Sequence, residues 1–588
     1  MLFRALAAAL LAWQAVQIDA TPLAQPSESY SERLRLSSFA EGKVQSEFRF
    51  SLDAPWRADG AALASNVLVE SHALVPHRLT SLVRRFRVSA FQLTLSSGRW
   101  SPTWPLHLPA KVPASGIELT AWLELLDGES DQEERIRWDA FTSAVSGIFC
   151  AGIASEGIET STASPTWAVP FPTDGNPDEH RLYRLVVPRL SAACTESLTP
   201  FLALLPCSSR AGLASLLNPH RLFDSEFTSI AISYRHDEQD TRARFELEVG
   251  SVQDPVRLDR LTGQLGRREF SFSSLYDRAV KAACPVASTS TVELVIPPDS
   301  PSAFVIEPEL ARENREIDGR ATLVWDVQKA VEEVALDVRV SWPEESVFRP
   351  VPPSRLPVPP LTARRLRAGV GQERGRLGVE LNNNLDEPVD VVWVETWPWW
   401  VRAFIHTLEV RDTGSGNATS ALLDLDYTPA IARERPTTLQ ALVQLAPRSA
   451  VDLTVAYESA SLWYTEYPAD SNRGFSLPGA TVLLLSPAPA ERSDPSEGDS
   501  ASPPHPRRPF SLARARTPVL QLHTPTTLLS LPTPDFSMPY NVIILSSTVI
   551  ALYFGSVVNG LLRRWRCVEV REQAAPAPAE GREKEKVL

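Results

Sequence analysis

Apolar and polar residues alternate with a period of two along much of this chain. Phe91, Leu93 and Leu95 alternate with Gln92 and Thr94, and Ser97, Gly98, Arg99 and Trp100 make the turn that follows. Phe245, Leu247 and Val249 alternate with Glu246 and Glu248. Val334, Leu336, Val338 and Val340 alternate with Ala335, Asp337 and Arg339, and Val451, Leu453, Val455 and Tyr457 repeat the pattern. Residues 389–394, 404–410 and 439–445 read as strands between them. Successive side chains of a strand point to opposite faces, so alternation marks strands with one buried face. Helical spacing is rarer. Leu79, Leu82, Val83 and Phe86 share a face within 76–86. Residues 138–153 read as a mainly apolar helix, with Phe141, Val145, Ile148 and Phe149 on one side, and 198–217 holds short helical pieces. Many short alternating segments with Pro, Gly and Asn turns predict a mainly β protein, with β-sandwich-like domains and a few helices.

A mostly β domain is expected over 21–315, beginning with an extended lead-in to residue 60, and a β-sandwich domain over 320–482. Residues 154–181 are polar and loop-like. Residues 486–516 are rich in Pro, Ser, Asp and Arg and hold too few large apolar side chains to order themselves, so a disordered insertion is expected there. Residues 517–540 supply one more strand and an entry to the membrane.

The pattern changes after that. From Val542 to Leu562 there is no charged residue. A helix rising about 1.5 Å per residue needs ~20 apolar residues to cross the hydrocarbon of a bilayer. Pro532, Pro534 and Pro539 keep the helix from extending backwards. A buried core helix of a soluble domain would not have the remaining flanks. Tyr540 and Trp565 stand where interfacial aromatics belong, and Arg563, Arg564 and Arg566 place the tail 563–588 in the cytosol. A transmembrane helix is therefore expected at 541–562. Residues 1–20, with Arg4, an apolar run over 5–16 and Ala20 at the cleavage site, read as a signal peptide. The two together predict a single-pass type I protein with the bulk of the chain lumenal. Ser547, Ala551, Gly555 and Asn559 recur every four residues and share one face of the span. Small residues let helix backbones approach closely and an amide can hydrogen-bond across the contact, so this stripe is the expected packing face.

With 588 residues, 43% of them hydrophobic and 22% charged, the chain is globular and long enough for several cores. A net charge of −13 argues against nucleic acid as a partner. Cys150, Cys194, Cys207 and Cys284 precede the span, in the oxidising compartment, and four cysteines allow three pairings. Cys567 lies on the other side.

Candidate chemistry is sparse. Gly369, Gly371 and Gly375 have the wrong spacing for a phosphate loop and precede a strand rather than a helix, so they read as a turn. There is no His-Glu-x-x-His, Cys-x-x-Cys or Gly-x-Ser-x-Gly, and no metal or cofactor is expected. Trp393, Trp397, Trp399 and Trp400 surround Pro398. They read as aromatic core at a strand end, the alternative being a sugar- or membrane-facing platform. Asn417-Ala-Thr419 is a glycosylation sequon. Lys584 and Lys586, five and three places from the C-terminus, resemble the dilysine-type retrieval signal of endoplasmic reticulum membrane proteins.

Leu531-Pro-Thr-Pro-Asp-Phe-Ser-Met-Pro-Tyr-Asn-Val-Ile543 resembles the membrane-entry signature of the PIG-T-type subunit of GPI transamidase. Ser146-Gly-Ile-Phe-Cys150, Cys194-Thr-Glu-Ser-Leu-Thr-Pro200, Leu205-Pro-Cys-Ser-Ser-Arg-Ala-Gly-Leu213, Arg221-Leu-Phe223, Cys284-Pro285, His406-Thr-Leu408 and Trp463-Tyr-Thr-Glu-Tyr467 agree in order. The resemblance fails at 486–516 and in the tail. It implies a non-catalytic scaffold subunit in the endoplasmic reticulum membrane. Such a subunit stabilises a catalytic cysteine-protease-like subunit, meets multispan membrane subunits, and helps position proproteins and the GPI lipid. It further implies that Cys194 forms a disulfide to the catalytic subunit. One internal bridge could then form, with Cys207–Cys284 the choice and Cys150 left as a buried thiol; pairing all four internally is the alternative. Asp535 and Asn541 would bracket the lumenal interface near the GPI headgroup, unless Asn541 merely caps the helix. The rival from another class is a stand-alone lumenal hydrolase or carbohydrate-binding receptor.

Overall fold

The computed structural model describes the chain from residue 28 to residue 568, except 56–73, 105–109, 112–113, 154–157, 163–179, 189–197, 238–241, 262, 264–265, 297–303, 310–311, 333–334, 350, 353–354, 370–372, 413–420, 468–473, 487–515, 517, 533–536 and 567. The described residues are mainly β, with 47% in strands and 21% in helices. The expected signal peptide, the low-complexity insertion and most of the tail lie outside the described residues.

The N-terminal half forms an 11-stranded sheet. From one edge its strands run Arg312–Ile317, Arg320–Asp326, Thr289–Val295, Ser29–Ser38, Val44–Pro55, Arg242–Gln253, Phe227–Asp237, Val88–Gly98, Gly116–Glu124, His180–Val187 and Ile158–Thr162. All neighbours are antiparallel except Ser29–Ser38 with Thr289–Val295, which run parallel. Alternation explains the layer above the sheet. Leu34, Leu36, Phe48, Phe50, Phe91, Leu93 and Leu247 point to one face and are buried. The helices His77–Phe86 and Asp131–Phe149 bury Leu79, Leu82, Val83, Phe86, Trp138, Phe141, Val145 and Phe149 in the same core. Strands Arg320–Asp326 and Arg339–Ser341 pair with strands of this half, and the second body begins at Leu361.

That second body is a sandwich. A four-stranded sheet, Leu361–Ala368, Arg374–Asn383, Ala450–Ser459 and Val401–Asp412, faces a six-stranded one. The six are Ala421–Thr428, Thr437–Leu445, Val389–Trp397, Thr481–Leu485, Pro518–His523 and Ala110–Lys111. Leu377, Val379, Leu453, Val455, Trp393, Val443 and Val482 close the core between them. The sixth strand comes from the N-terminal half, so the two bodies share a sheet. The expected strand through Val334 to Val340 is shorter than its alternation suggests. Only Arg339–Ser341 pairs as a strand, and Leu336 makes an isolated bridge to Val280. The chain divides into one compact unit to Leu531 and another from Pro532. The second unit contains the apolar helix Ser537–Leu562.

Candidate functional site

Three of the sequence motifs converge on one patch of the N-terminal body. Cys207 and Cys284 are disulfide-bonded, with Cα atoms 5.9 Å apart. The Gly212 amide donates to the Ala282 carbonyl at 2.8 Å, and Arg221 makes a bidentate pair with Asp277 at 2.6 and 2.7 Å. Beneath them Glu32 is buried. Its carboxylate accepts from the Leu213 amide at 3.0 Å, the Tyr30 hydroxyl at 2.8 Å and the Ser290 hydroxyl at 3.1 Å. Burial pushes the Glu32 carboxyl up, and these three donors offset only part of that shift. Gly212 has φ +71°, and a Cβ there would lie 2.4 Å from Glu32 Oε2. Glycine is needed at this position on both counts.

Beside this patch ends the helix Asp131–Phe149. It starts earlier than its apolar spacing predicts because Ser130 and Glu133 form a capping box. It stops at Cys150, which is left-handed at φ 52°. The expected buried thiol is corrected here. Cys150 is exposed and disulfide-bonded, because the C-cap turns it away from the core face that holds Phe149. Its partner, and Cys194 itself, lie outside the described residues.

A polar junction joins the two bodies. Arg184 Nε meets Glu118 Oε1 at 2.7 Å, and Arg184 Nη1 reaches Thr396 Oγ1 at 3.3 Å. His523 Nδ1 lies 3.2 Å from Thr481 Oγ1, and its Nε2 lies 3.1 Å from Gln521 Nε2. Burial raises the Glu118 pKa, but the Arg184 charge outweighs it, with His523 helping, and the net shift is downwards. Burial pulls His523 down to about 4, against the pull of Glu118. A hydroxyl beside a histidine invites a hydrolase reading. Thr481 is 2% exposed, however, and Nε2 is engaged as well, so the arrangement is a structural one. Glu118 and Arg184 gave no local signal for it, since Glu124 and Arg181 are charges in the same strands.

Trp393, Trp397 and Trp400 are buried in the sandwich core and Trp399 is half-buried, which settles that cluster as core. Trp393 Nε1 donates to Glu395 at 3.0 Å. At the surface Arg433 stacks over Trp399 and Trp463, with its carbon 4.7 and 3.7 Å from the ring centres. Among the described residues no His, Cys, Asp or Glu cluster could hold a metal.

In the second unit Tyr540–Leu562 is long and apolar enough to cross a membrane. Ser547, Ala551, Gly555 and Asn559 are all exposed, and a Cβ on Gly555 would meet nothing within 4 Å. The helix starts at Ser537, with Pro539 accommodated in its first turn. Asn541 therefore lies inside the helix and does not cap it. Asp535, Asn417, Lys584 and Lys586 fall outside the described residues.

A mainly β chain ending in one exposed apolar helix of this length fits a single-pass membrane protein. The sequence pattern of the family described as Gpi16 subunit, GPI transamidase component, matches residues 14–266 and 261–588, and the chain belongs to that family. It is similar to the GPI-anchor transamidase component PIGT of Mus musculus, 30% identical over 92% of this chain and 91% of the relative. The Homo sapiens protein of that name is 30% identical over 93% of this chain and 92% of its own length. The GPI transamidase component GPI16 of Saccharomyces cerevisiae is 26% identical over 92% of this chain and 89% of its own. The solved structure of a GH20 exo-β-N-acetylglucosaminidase from Vibrio harveyi matches 30% of this chain and 19% of its own at 8% identity, with a TM-score of 0.15, and carries no argument.

Proposed function

We propose that this chain is the non-catalytic scaffold of a GPI transamidase. It stabilises a catalytic cysteine-protease-like subunit and helps position proproteins and the GPI lipid. It sits in the endoplasmic reticulum membrane as a single-pass type I protein, its β bodies lumenal. The observation that carries this reading is the match to transamidase components along both β bodies and the apolar helix. A scaffold shared with those relatives would need all of these surfaces. The exposed small-residue stripe supports contact with multispan subunits. Cys194 is assigned to the intersubunit disulfide, Asn417 to glycosylation, Lys584 and Lys586 to retrieval, and Asp535 and Asn541 to the neighbourhood of the GPI headgroup.

The test is affinity purification of the tagged full chain from mild detergent, with mass spectrometry of what accompanies it. A cysteine-protease-like subunit and multispan proteins are expected in stoichiometric amount. A chain that comes through alone, with hydrolase activity or glycan binding of its own, would overturn the reading.

A further inference from the structure

Trp463 is 62% exposed and yet pinned in place. Arg433 stacks on its indole and on that of Trp399. The Glu466 carboxylate accepts from the Arg433 guanidinium and, at 2.6 Å, from the Trp463 amide. These groups gather at one end of the sandwich. Trp397 pairs with Thr437 at the end of the six-stranded sheet, and Val401 pairs with Ser459 at the end of the four-stranded one. Only Pro398, Trp399 and Trp400 separate Trp397 from Val401, so the two pairings mark the same end. The turn that carries Arg433 also exposes Ile431, whose amide donates to the Arg435 carbonyl at 2.9 Å. Behind the exposed ring, Phe475 meets Trp400 at 5.1 Å and Tyr467 at 6.0 Å. Phe475 is the register partner of Leu529, which brings the strand Thr527–Leu529 to this end, where Leu528 is exposed.

The chain leaves the sandwich here. Leu531 is buried in the sandwich core, and the apolar helix begins at Ser537. Six Cα–Cα steps extend to at most about 21 Å, so Leu531 stays within that reach of Ser537 whatever direction the helix takes. The chemistry of the patch suits a lipid–water boundary. Indole rings favour that layer, and guanidinium groups are tolerated there when their stems lie along apolar surface. The arginines of the patch are engaged: Arg433 with Glu466, Arg435 on the Pro429 carbonyl at 3.1 Å, and Arg367 on the Leu528 carbonyl at 3.0 Å. Paired in this way they do not form the basic cluster that selects anionic lipid. A glycan would need polar groups converging beside the ring, and Glu466 is already committed to Arg433 and to the Trp463 amide. We propose that this end of the sandwich rests on the bilayer leaflet where the helix begins, with Trp463, Ile431 and Leu528 in the interfacial layer of its phospholipids. The proposal needs Tyr540–Leu562 to cross that bilayer, but it does not need the transamidase reading.

The experiment reconstitutes the tagged full chain, with the subunits that accompany it, into phosphatidylcholine vesicles. These contain a phosphatidylcholine analogue with a photoreactive diazirine in its headgroup. Irradiation and peptide mapping should place lipid on the segments holding Ile431, Trp463 and Leu528, as well as on the segment holding Tyr540. The exposed strand Arg312–Ile317 should stay unlabelled. Trp463→Ala should lower the label on the Leu528 segment severalfold, and Leu528→Asp should do the same to the Trp463 segment. Label at Tyr540 should be unchanged in both. Either variant suffices should the other fail to fold, and the wild-type map needs neither. Label at Tyr540 without label at Trp463 and Leu528 overturns the proposal and leaves the span and the transamidase reading intact. Label that appears at Trp463 only after the accompanying subunits are removed shows that protein covers the patch, and also overturns it. A map without label at Tyr540 overturns the span, and the proposal falls with it.

Discussion

Arg365 and Glu395 form an ion pair inside the sandwich, with side chains 4% and 1% exposed. Among the described residues, Arg365 Nη2 and Glu395 Oε2 have no hydrogen-bond partner. Burial raises the Glu395 carboxyl, and the Arg365 charge with its hydrogen bond compensates only in part. Such a pair does not stabilise relative to apolar packing, since desolvating two charges offsets their attraction. Breaking it is another matter. Glu395→Gln leaves a buried guanidinium unpaired and should cost about 3–5 kcal/mol, while Glu395→Met with Arg365→Met should come close to wild type. Thermal melts of the solubilised chain check this; a single variant as stable as the double one contradicts it. His523 gives the opposite kind of test. Its pKa is pulled down to about 4 in the fold, against about 6.5 for a free imidazole. Only the unfolded chain then takes up a proton between these values. The stabilising contribution is complete above about pH 6.5 and falls, by up to about 3 kcal/mol, as pH drops towards 4. Glu118, Arg184, Thr481 and Gln521 surround the ring and stay in place in His523→Gln. That variant should lose less stability than wild type between about pH 7 and about pH 5. Parallel slopes would exclude His523 as the cause.

Among the elements, the apolar helix was legible because nothing in the fold competes with it. Length, absence of charge and flanking residues decide a span without tertiary help. The helix Asp131–Phe149 was legible only from its apolar half. Its first turns, Asp131 to Arg135, are polar and show no periodicity, although the Ser130–Glu133 cap was there to be read. Alternation at Val334 to Val340 misled differently. Leu336, Val338 and Val340 are all buried, but only the last of them pairs in a strand. Alternation reports which face is buried, and burial does not require a ladder. The polar junction had no local signal at all, because it draws on strands far apart in sequence. The parallel pairing of Ser29–Ser38 with Thr289–Val295 was hidden for the same reason. For the span, a prediction follows from open space. Beyond its chain neighbours and the adjacent backbone of its own helix, nothing among the described residues lies within 4 Å of a Cβ at Gly555. Gly555→Leu should therefore leave the chain's own fold intact and weaken co-purification of multispan subunits by forcing helix backbones apart. Leu552→Val, off the stripe, should be mild. Equal losses from the two would remove the case for a specific face.

For the whole molecule the cysteines decide how the chain is tied to its neighbours. Cys207 and Cys284 bond each other, and Cys150 is bonded as well. The sequence leaves Cys194 and Cys567 as the other half for Cys150 within the chain. In the proposed type I topology Cys567 lies across the membrane from Cys150. An internal bridge from Cys150 to Cys194 and the proposed intersubunit bridge at Cys194 exclude each other in any one molecule, so both cannot hold in the assembled complex. An interchain disulfide would keep the catalytic subunit at high effective concentration without contributing chemistry. Non-reducing electrophoresis of the extracted complex separates the two arrangements. With the intersubunit bond, wild type runs as a covalent heterodimer that collapses on reduction, Cys194→Ser runs as a monomer, and Cys150→Ser still runs as the heterodimer. Cys194→Ser should then lower anchor attachment rather than abolish it, because the folded interface remains. With the internal bond, wild type runs as a monomer before any reductant is added. Cys150→Ser would then be the variant that frees Cys194 and acquires a covalent partner. A monomeric wild-type band ends the intersubunit assignment of Cys194 while leaving the noncovalent scaffold to be judged by co-purification.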